Sequence, residues 1–134
     1  MSERCVIVLD EDLPPGLAAN AAAVLALTLG ARAPALVGPD LVDADAQVHP
    51  GLIPIGLPVL RAPRAELGAL RQEAGTAGLG VIDFPTFGQQ TTDYEAVRAE
   101  VARTPTAGLE YLGLVVHGPR KAVARLTGRL ALLK

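Results

Sequence analysis

With one cysteine, the chain cannot close an internal disulfide, and nothing in its 134 residues calls for an oxidising compartment. There is no tryptophan, and aromatics amount to two tyrosines and two phenylalanines. Stacking platforms for nucleic-acid bases are therefore scarce, and the core has to be built from alanine, leucine and valine. The only serine is Ser2, in the first, fraying residues, so a Ser-His-Asp nucleophile is excluded. Cys5 has no His or Asn partner signalled beside it and reads as a small apolar core residue. The net charge of −2 offers no basic footprint for bulk nucleic-acid binding. The longest apolar stretch, Ala21 to Leu29 with its flanks, falls short of the roughly 20 residues a membrane span needs, so no membrane association is expected. No secretory leader is visible, because Met-Ser-Glu-Arg leads straight into a strand-like run. The expected setting is the cytoplasm.

What remains is half hydrophobic and long enough for one sizeable core, so residues 1–134 read as a single domain. Cys5–Leu9 is a continuous β-branched and apolar run, the pattern of a strand covered on both faces. A turn-rich loop follows, Asp10-Glu-Asp-Leu-Pro-Pro-Gly16. Leu17–Leu29 reads as a buried Ala-rich helix stopped by Gly30. Val37–Val48 reads as a loop with one short strand or hairpin, and His49 before Pro50 as a turn residue. Leu57–Leu60 reads as a short edge strand because of Pro58. Pro63–Ala77 has Leu67, Leu70 and Ala74 at helical spacing with charges outward, an amphipathic helix opened by Pro63. Gly80–Asp83 is a strand, Phe84–Thr92 a polar loop, Asp93–Arg103 a polar helix, Leu112–Val116 a strand and Arg120–Thr127 a last helix. The alternation predicts an α/β three-layer α/β/α sandwich around a mixed sheet of about four strands, with Cys5–Leu9 and Leu112–Val116 as central neighbours.

Several of these segments also carry a resemblance. Asp12-Leu13, Gly16, Ala18-Ala19-Asn20, Ile82-Asp83 with Thr86 and Gln89, and Gly118-Pro119 followed by Val123, Thr127-Gly128 and Leu130-Ala-Leu-Leu133 resemble, in order, the motifs of type 2 peptidyl-tRNA hydrolases. The whole chain, including the helix near Asp93–Arg103, is similar to a bacterial family known only as domain of unknown function 2000. The resemblance implies a type 2 peptidyl-tRNA hydrolase-like fold. It also exposes a departure. The family's lysine position falls on Gly16 or Leu17, and its histidine position on Ala23.

The candidate site residues follow from strand ends and polar density. Asp10 and Asp12, after the first strand, could serve as base or water-orienting carboxylates, or could cap a helix. Asp83, at another strand end, heads the densest polar patch, which includes Thr86, Gln89, Gln90, Thr91 and Thr92. Asn20, one turn into the first helix, could bind a substrate carbonyl or tie the helix to the loop. His117 precedes Gly118-Pro119-Arg120-Lys121, a helix start suited to an anion, with Lys121 able to stand in for the missing lysine. If the three strands ran parallel, these groups would share one edge, with Arg61, Arg64 and Arg71 solvated elsewhere. Asp10, Glu11, Asp12 and His49 match no metal-ligand spacing, so neither metal nor cofactor is expected.

Two functions fit: a hydrolase or transferase acting on an acyl ester or amide, with Asp10, Asp12 and Asp83 catalytic, or a non-catalytic module binding a small anion, a nucleotide or a protein. The ligand expected is a small molecule or an acyl group; a tRNA ligand has no support from the charge. The apolar girth of Leu17–Leu29 and the terminal Leu130-Ala-Leu-Leu133 predict a homodimer.

Overall fold

A computed structural model of the protein describes residues 3–134. Ser2, set aside above as a nucleophile, lies outside the described residues, as does the side chain of Gln90. Strand β1 (Glu3–Asp10) leads into helix α1 (Pro15–Arg32). A small hairpin follows, β2 (Leu41–Val42) with β3 (Val48–His49). Then come β4 (Val59–Ala62), α2 (Arg64–Thr76), β5 (Gly80–Pro85), the short α3 (Phe87–Gln90), α4 (Tyr94–Ala102), β6 (Tyr111–Pro119) and α5 (Arg120–Thr127). The chain thus forms a mixed α/β domain with a four-stranded sheet in the order β4-β1-β6-β5 and, among the described residues, five α-helices.

Alternation along the strands divides the core into two layers. Cys5, Ile7 and Leu9 of β1 and Val115 of β6 pack under α1 through Ala18, Ala21, Leu25 and Leu29. Val6, Val8, Leu114 and Val116 face the other way, onto Leu67, Leu70 and Ala74 of α2 and Val123 of α5. With so few aromatics, tight packing depends on small residues. At Gly113 an added Cβ would stand 2.6 Å from Leu9 Cδ2 and 2.9 Å from Val8 O. Helix α2 is closed by Gly78 at φ 77°, with the Leu79 amide bonded back to the Ala74 carbonyl at 3.0 Å. The edge of β4 is covered by the C-terminal segment. The Arg61 amide donates to Ala131 O, and the Leu133 amide to Val59 O, both at 2.9 Å.

Three expectations need correcting. First, β6 runs antiparallel to both β1 and β5, whereas β1 and β4 are parallel. The connection from β5 to β6 does not cross the sheet: the Thr86 amide just past β5 bonds the Glu110 carbonyl just before β6 at 2.9 Å, so β6 starts where β5 stops. Second, α1 is not buried all round. Leu17 and Val24 are 41% exposed and Leu27 77%. Nor does Gly30 stop the helix. It runs on to Arg32, ahead of Pro34, whose ring disfavours helical geometry in the residue before it. Third, Leu130 and Leu133 pack against the domain's own core, which leaves only Leu132 of the three terminal leucines exposed.

Candidate ligand groove

The carboxyl ends of β1, β4 and β5 and the start of β6 share one edge of the sheet. Asp10 is at this edge, but it is not free. Its side chain is 4% exposed, and Oδ2 accepts a hydrogen bond from Arg64 Nε at 2.6 Å. Its Oδ1 accepts from the Asp12 amide at 2.9 Å. Asp83 is bound in the same way, its Oδ2 accepting from Arg71 Nε at 2.8 Å. The Asp83 bond raises the Arg71 pKa, and the guanidinium lies 5.9 Å from the Tyr111 ring centroid. Burial pushes the Tyr111 phenol up, with the nearby Arg71 charge pulling it back. Arg64 and Arg71 are seven residues apart on α2, two turns along one face. Both were expected in solvent. Instead they tie that helix to two strand ends. Sequence reading missed this because each pair joins residues distant in sequence; the i, i+7 spacing of two arginines on an otherwise amphipathic helix was the signal on offer.

The remaining predicted residues separate into two groups. His117 is level with Cys5 and Gly80, at the opposite end of the sheet, with its ring over Gly80 and Nδ1 3.6 Å from Glu3 Oε2. It sits on the α1 face, in step with Val115, whereas the Asp83 carboxylate is directed to α2. Lys121 is exposed at the start of α5, at that same far end. The antiparallel course of β6 therefore removes His117 and Lys121 from the shared edge. Asp12 is exposed in the loop after β1. Thr86 is half-buried where β5 gives way to α3, its carbonyl accepting from the Gln89 amide at 3.1 Å, and Gln89 is exposed.

Asn20 belongs to a different feature. Asn20, Val24 and Thr28, one turn apart on α1, form one wall of a groove of about 760 Å³. Ile82 and Phe84 of the edge strand β5 form its floor, and Val97 and Val101 of α4 the facing wall. Thr91, Thr92, Tyr94 and Arg98 lie along its rim. Asp83 adds to the wall while its carboxylate is held by Arg71. Helix α4 opens at Asp93, whose Oδ1 accepts from the amides of Glu95 and Ala96 at 3.1 and 3.3 Å. No residue of α4 is buried, so Val97 and Val101 are half-covered groove wall and not core.

A smaller concavity of about 530 Å³ lies beside Gly68, Arg71 and Tyr111 on the α2 face, with its one charge already paired to Asp83. Among the described residues no three His, Cys, Asp or Glu side chains converge as a metal site, and no helix is long and apolar enough to cross a membrane.

Residues 3–134 match the sequence profile of a family described as Protein of unknown function (DUF2000). A solved structure of a protein of unknown function from Agrobacterium tumefaciens is similar over 98% of both chains, with a TM-score of 0.89 at 17% identity, a likeness of fold. No curated protein matches the chain in sequence.

Proposed function

The chain belongs to the DUF2000 family, and from that starting point we propose that it is a binding module whose α1–β5–α4 groove takes a small molecule with an aliphatic or acyl body and an amide or carbonyl end. The observation that carries this reading is the mixed lining of the groove, apolar side chains with a few amide and hydroxyl groups among them. Asn20 supplies both an amide donor and a carbonyl acceptor, Thr28, Thr91 and Thr92 add hydroxyls, and Val24, Ile82, Val97 and Val101 supply apolar surface. The volume suits a drug-sized ligand, and a mostly apolar lining with a few convergent polar groups is the usual make-up of such sites. Binding is favoured over catalysis because the carboxylates of Asp10 and Asp83 are each held by an arginine.

The test is a panel of N-acyl amides, acyl amino acids and free fatty acids of graded chain length, scored by native mass spectrometry and by amide shift changes in NMR. Saturable binding that shifts Val24, Ile82 and Val97, is weakened by Asn20→Leu and is abolished by Val24→Glu fits the reading. Shifts confined to another surface, or binding indifferent to both variants, would refute it.

A hydrolase reading retains one support. Asp12 keeps an exposed carboxylate at the same sheet edge, in the Asp-Leu pair that resembles the type 2 peptidyl-tRNA hydrolases. Turnover of N-blocked aminoacyl-tRNA or amino-acid esters, lost in Asp12→Asn with the fold intact, would favour it over the binding module.

A further inference from the structure

We infer that the β2–β3 hairpin is an arm that docks on α1 of a second copy of this chain, with a reciprocal contact across a two-fold axis. Three observations support this, none of them dependent on the reading of the groove.

The first is area. The chain exposes 8296 Å². A compact monomer of 13.8 kDa is expected to expose about 6,600 Å². The excess of about 1,700 Å² per chain is what one partner contributes to an obligate dimer interface, which buries roughly 2,000–5,000 Å² in total.

The second is the arm itself. Every residue from 41 to 50 is exposed, and Leu41, Val42 and Val48 are 52%, 64% and 63% accessible. Two strands of two residues each do not hold together in water without further packing. Yet this hairpin is firmly braced. Asp43 Oδ1 accepts from the amides of Asp45 and Gln47 at 2.9 and 3.0 Å, and Asp43 Oδ2 is 2.9 Å from His49 Nε2. At its base the Gly51 amide donates to Asp40 Oδ1 at 3.1 Å, and the Gly38 amide to Leu52 O at 2.9 Å. The arm presents Leu41, Val42 and Val48 beside the polar Asp43, Asp45, Gln47 and His49, has no core of its own and, being preorganised, loses little entropy on docking.

The third is the complementary surface. Leu27, 77% exposed near the middle of α1 and outside the groove lining, has the exposed Ala23 and Ala31 one turn on either side of it, an apolar row without charge. One arm and one α1 face per chain satisfy a closed isologous contact, in which each surface is covered once. The small residues Ala23 and Ala31 beside Leu27 leave room for the branched side chains of an incoming strand.

The experiment is sedimentation of the full chain at micromolar concentration, with its Leu27→Asp, Val42→Asp and Leu132→Asp variants. The wild type should sediment at twice 13.8 kDa. Leu27→Asp and Val42→Asp should each weaken the dimer by about tenfold or more while leaving the circular dichroism unchanged. Leu132→Asp alters an exposed leucine off the arm and off α1, and should remain dimeric. Mixed chains carrying Leu27→Cys and Val48→Cys should crosslink to each other under mild oxidation. A wild-type monomer, a dimer untouched by both arm and α1 variants, or no crosslink between the mixed chains would overturn the inference.

Discussion

Replacing Arg64 by methionine keeps most of the aliphatic stem and deletes the guanidinium that holds Asp10. The Asp10 side chain is 4% exposed and is left with one partner, the Asp12 amide. A hydrogen bond between charged groups contributes roughly 1.5–3 kcal/mol. Stranding a fully buried charge costs about 3–5 kcal/mol. Arg64 is 38% exposed, so water can reach part of the vacated space, and the estimate falls towards the lower range, about 2–3 kcal/mol. For a domain of this length a kilocalorie corresponds to roughly 3–5 °C, so the melting temperature should fall by about 6–15 °C. Urea unfolding followed by circular dichroism measures the loss, with an unchanged slope marking a change in stability alone. Combining Arg64→Met with Asp10→Asn should recover part of the loss, giving a coupling above about 1 kcal/mol in the double-mutant cycle. A loss below about 0.5 kcal/mol, or additive single changes, would refute the anchoring role and return Asp10 to the list of free carboxylates.

Three further outcomes are expected. Ala46 sits at φ 64° in the arm, a left-handed conformation that costs a non-glycine residue roughly 1–2 kcal/mol, so Ala46→Gly should stabilise the arm by a net ~0.5–1 kcal/mol, read as slower amide exchange at Asp43 and Gln47; unchanged or faster exchange would contradict the strain. The hydrogen bond from His49, followed by those from the Gln47 and Asp45 amides, lowers the Asp43 carboxyl below its ordinary 3.8. The bracing is therefore complete above that value and lost as pH falls through the lower folded value, and His49 resonances that stay fixed through this acid window would argue against the pairing. Burial, with a smaller contribution from the Glu3 carboxylate, pushes the Cys5 thiol up, and Cys5 is fully buried, so a thiol reagent should modify it only at the rate of unfolding; rapid labelling in native buffer would show that β1 opens locally.

The elements were legible because their signals are local. The last helix was read as Arg120–Thr127 and forms over those residues, between Pro119 and Gly128. The β1 and β6 runs were identified as central neighbours, and they pair residue by residue from Glu3–Pro119 to Leu9–Gly113. Strand direction was not legible. A run such as Leu112–Val116, buried on both faces, reads the same whichever way it is laid in the sheet, and the hydrogen bond from Thr86 to Glu110 that reverses it is a backbone contact without a sequence signature. Helix α1 misled for a related reason. When alanine and leucine occur on all sides, the pattern has no phase, so it cannot say that Ala21 and Leu25 face the sheet while Val24 and Leu27 do not. Of the candidate groove, Asn20 was singled out as a polar residue one turn into the first helix, and Thr91 and Thr92 as part of the polar stretch after Asp83, and all three are in its lining, whereas Thr86 and Gln89 are not. The facing wall of Val97 and Val101 belongs to the segment read above as a polar helix, and nothing local in that pattern marks a border to an open groove.

The insertion of β6 between β1 and β5 also fixes an order of events during synthesis. Strand β1 is made well before β6, yet one of its two edges is filled only by β6, where Cys5 pairs with His117 about a hundred residues later. Until then the nascent chain can join β1 to β4, but it displays the other edge of a strand whose residues Cys5 to Leu9 are all apolar. Closing so long a loop is slow, and an uncovered apolar edge invites pairing with other chains. The domain should therefore gain its stability late and abruptly. A chain released before β6 has emerged should behave as a holdase client and not as a smaller folded protein.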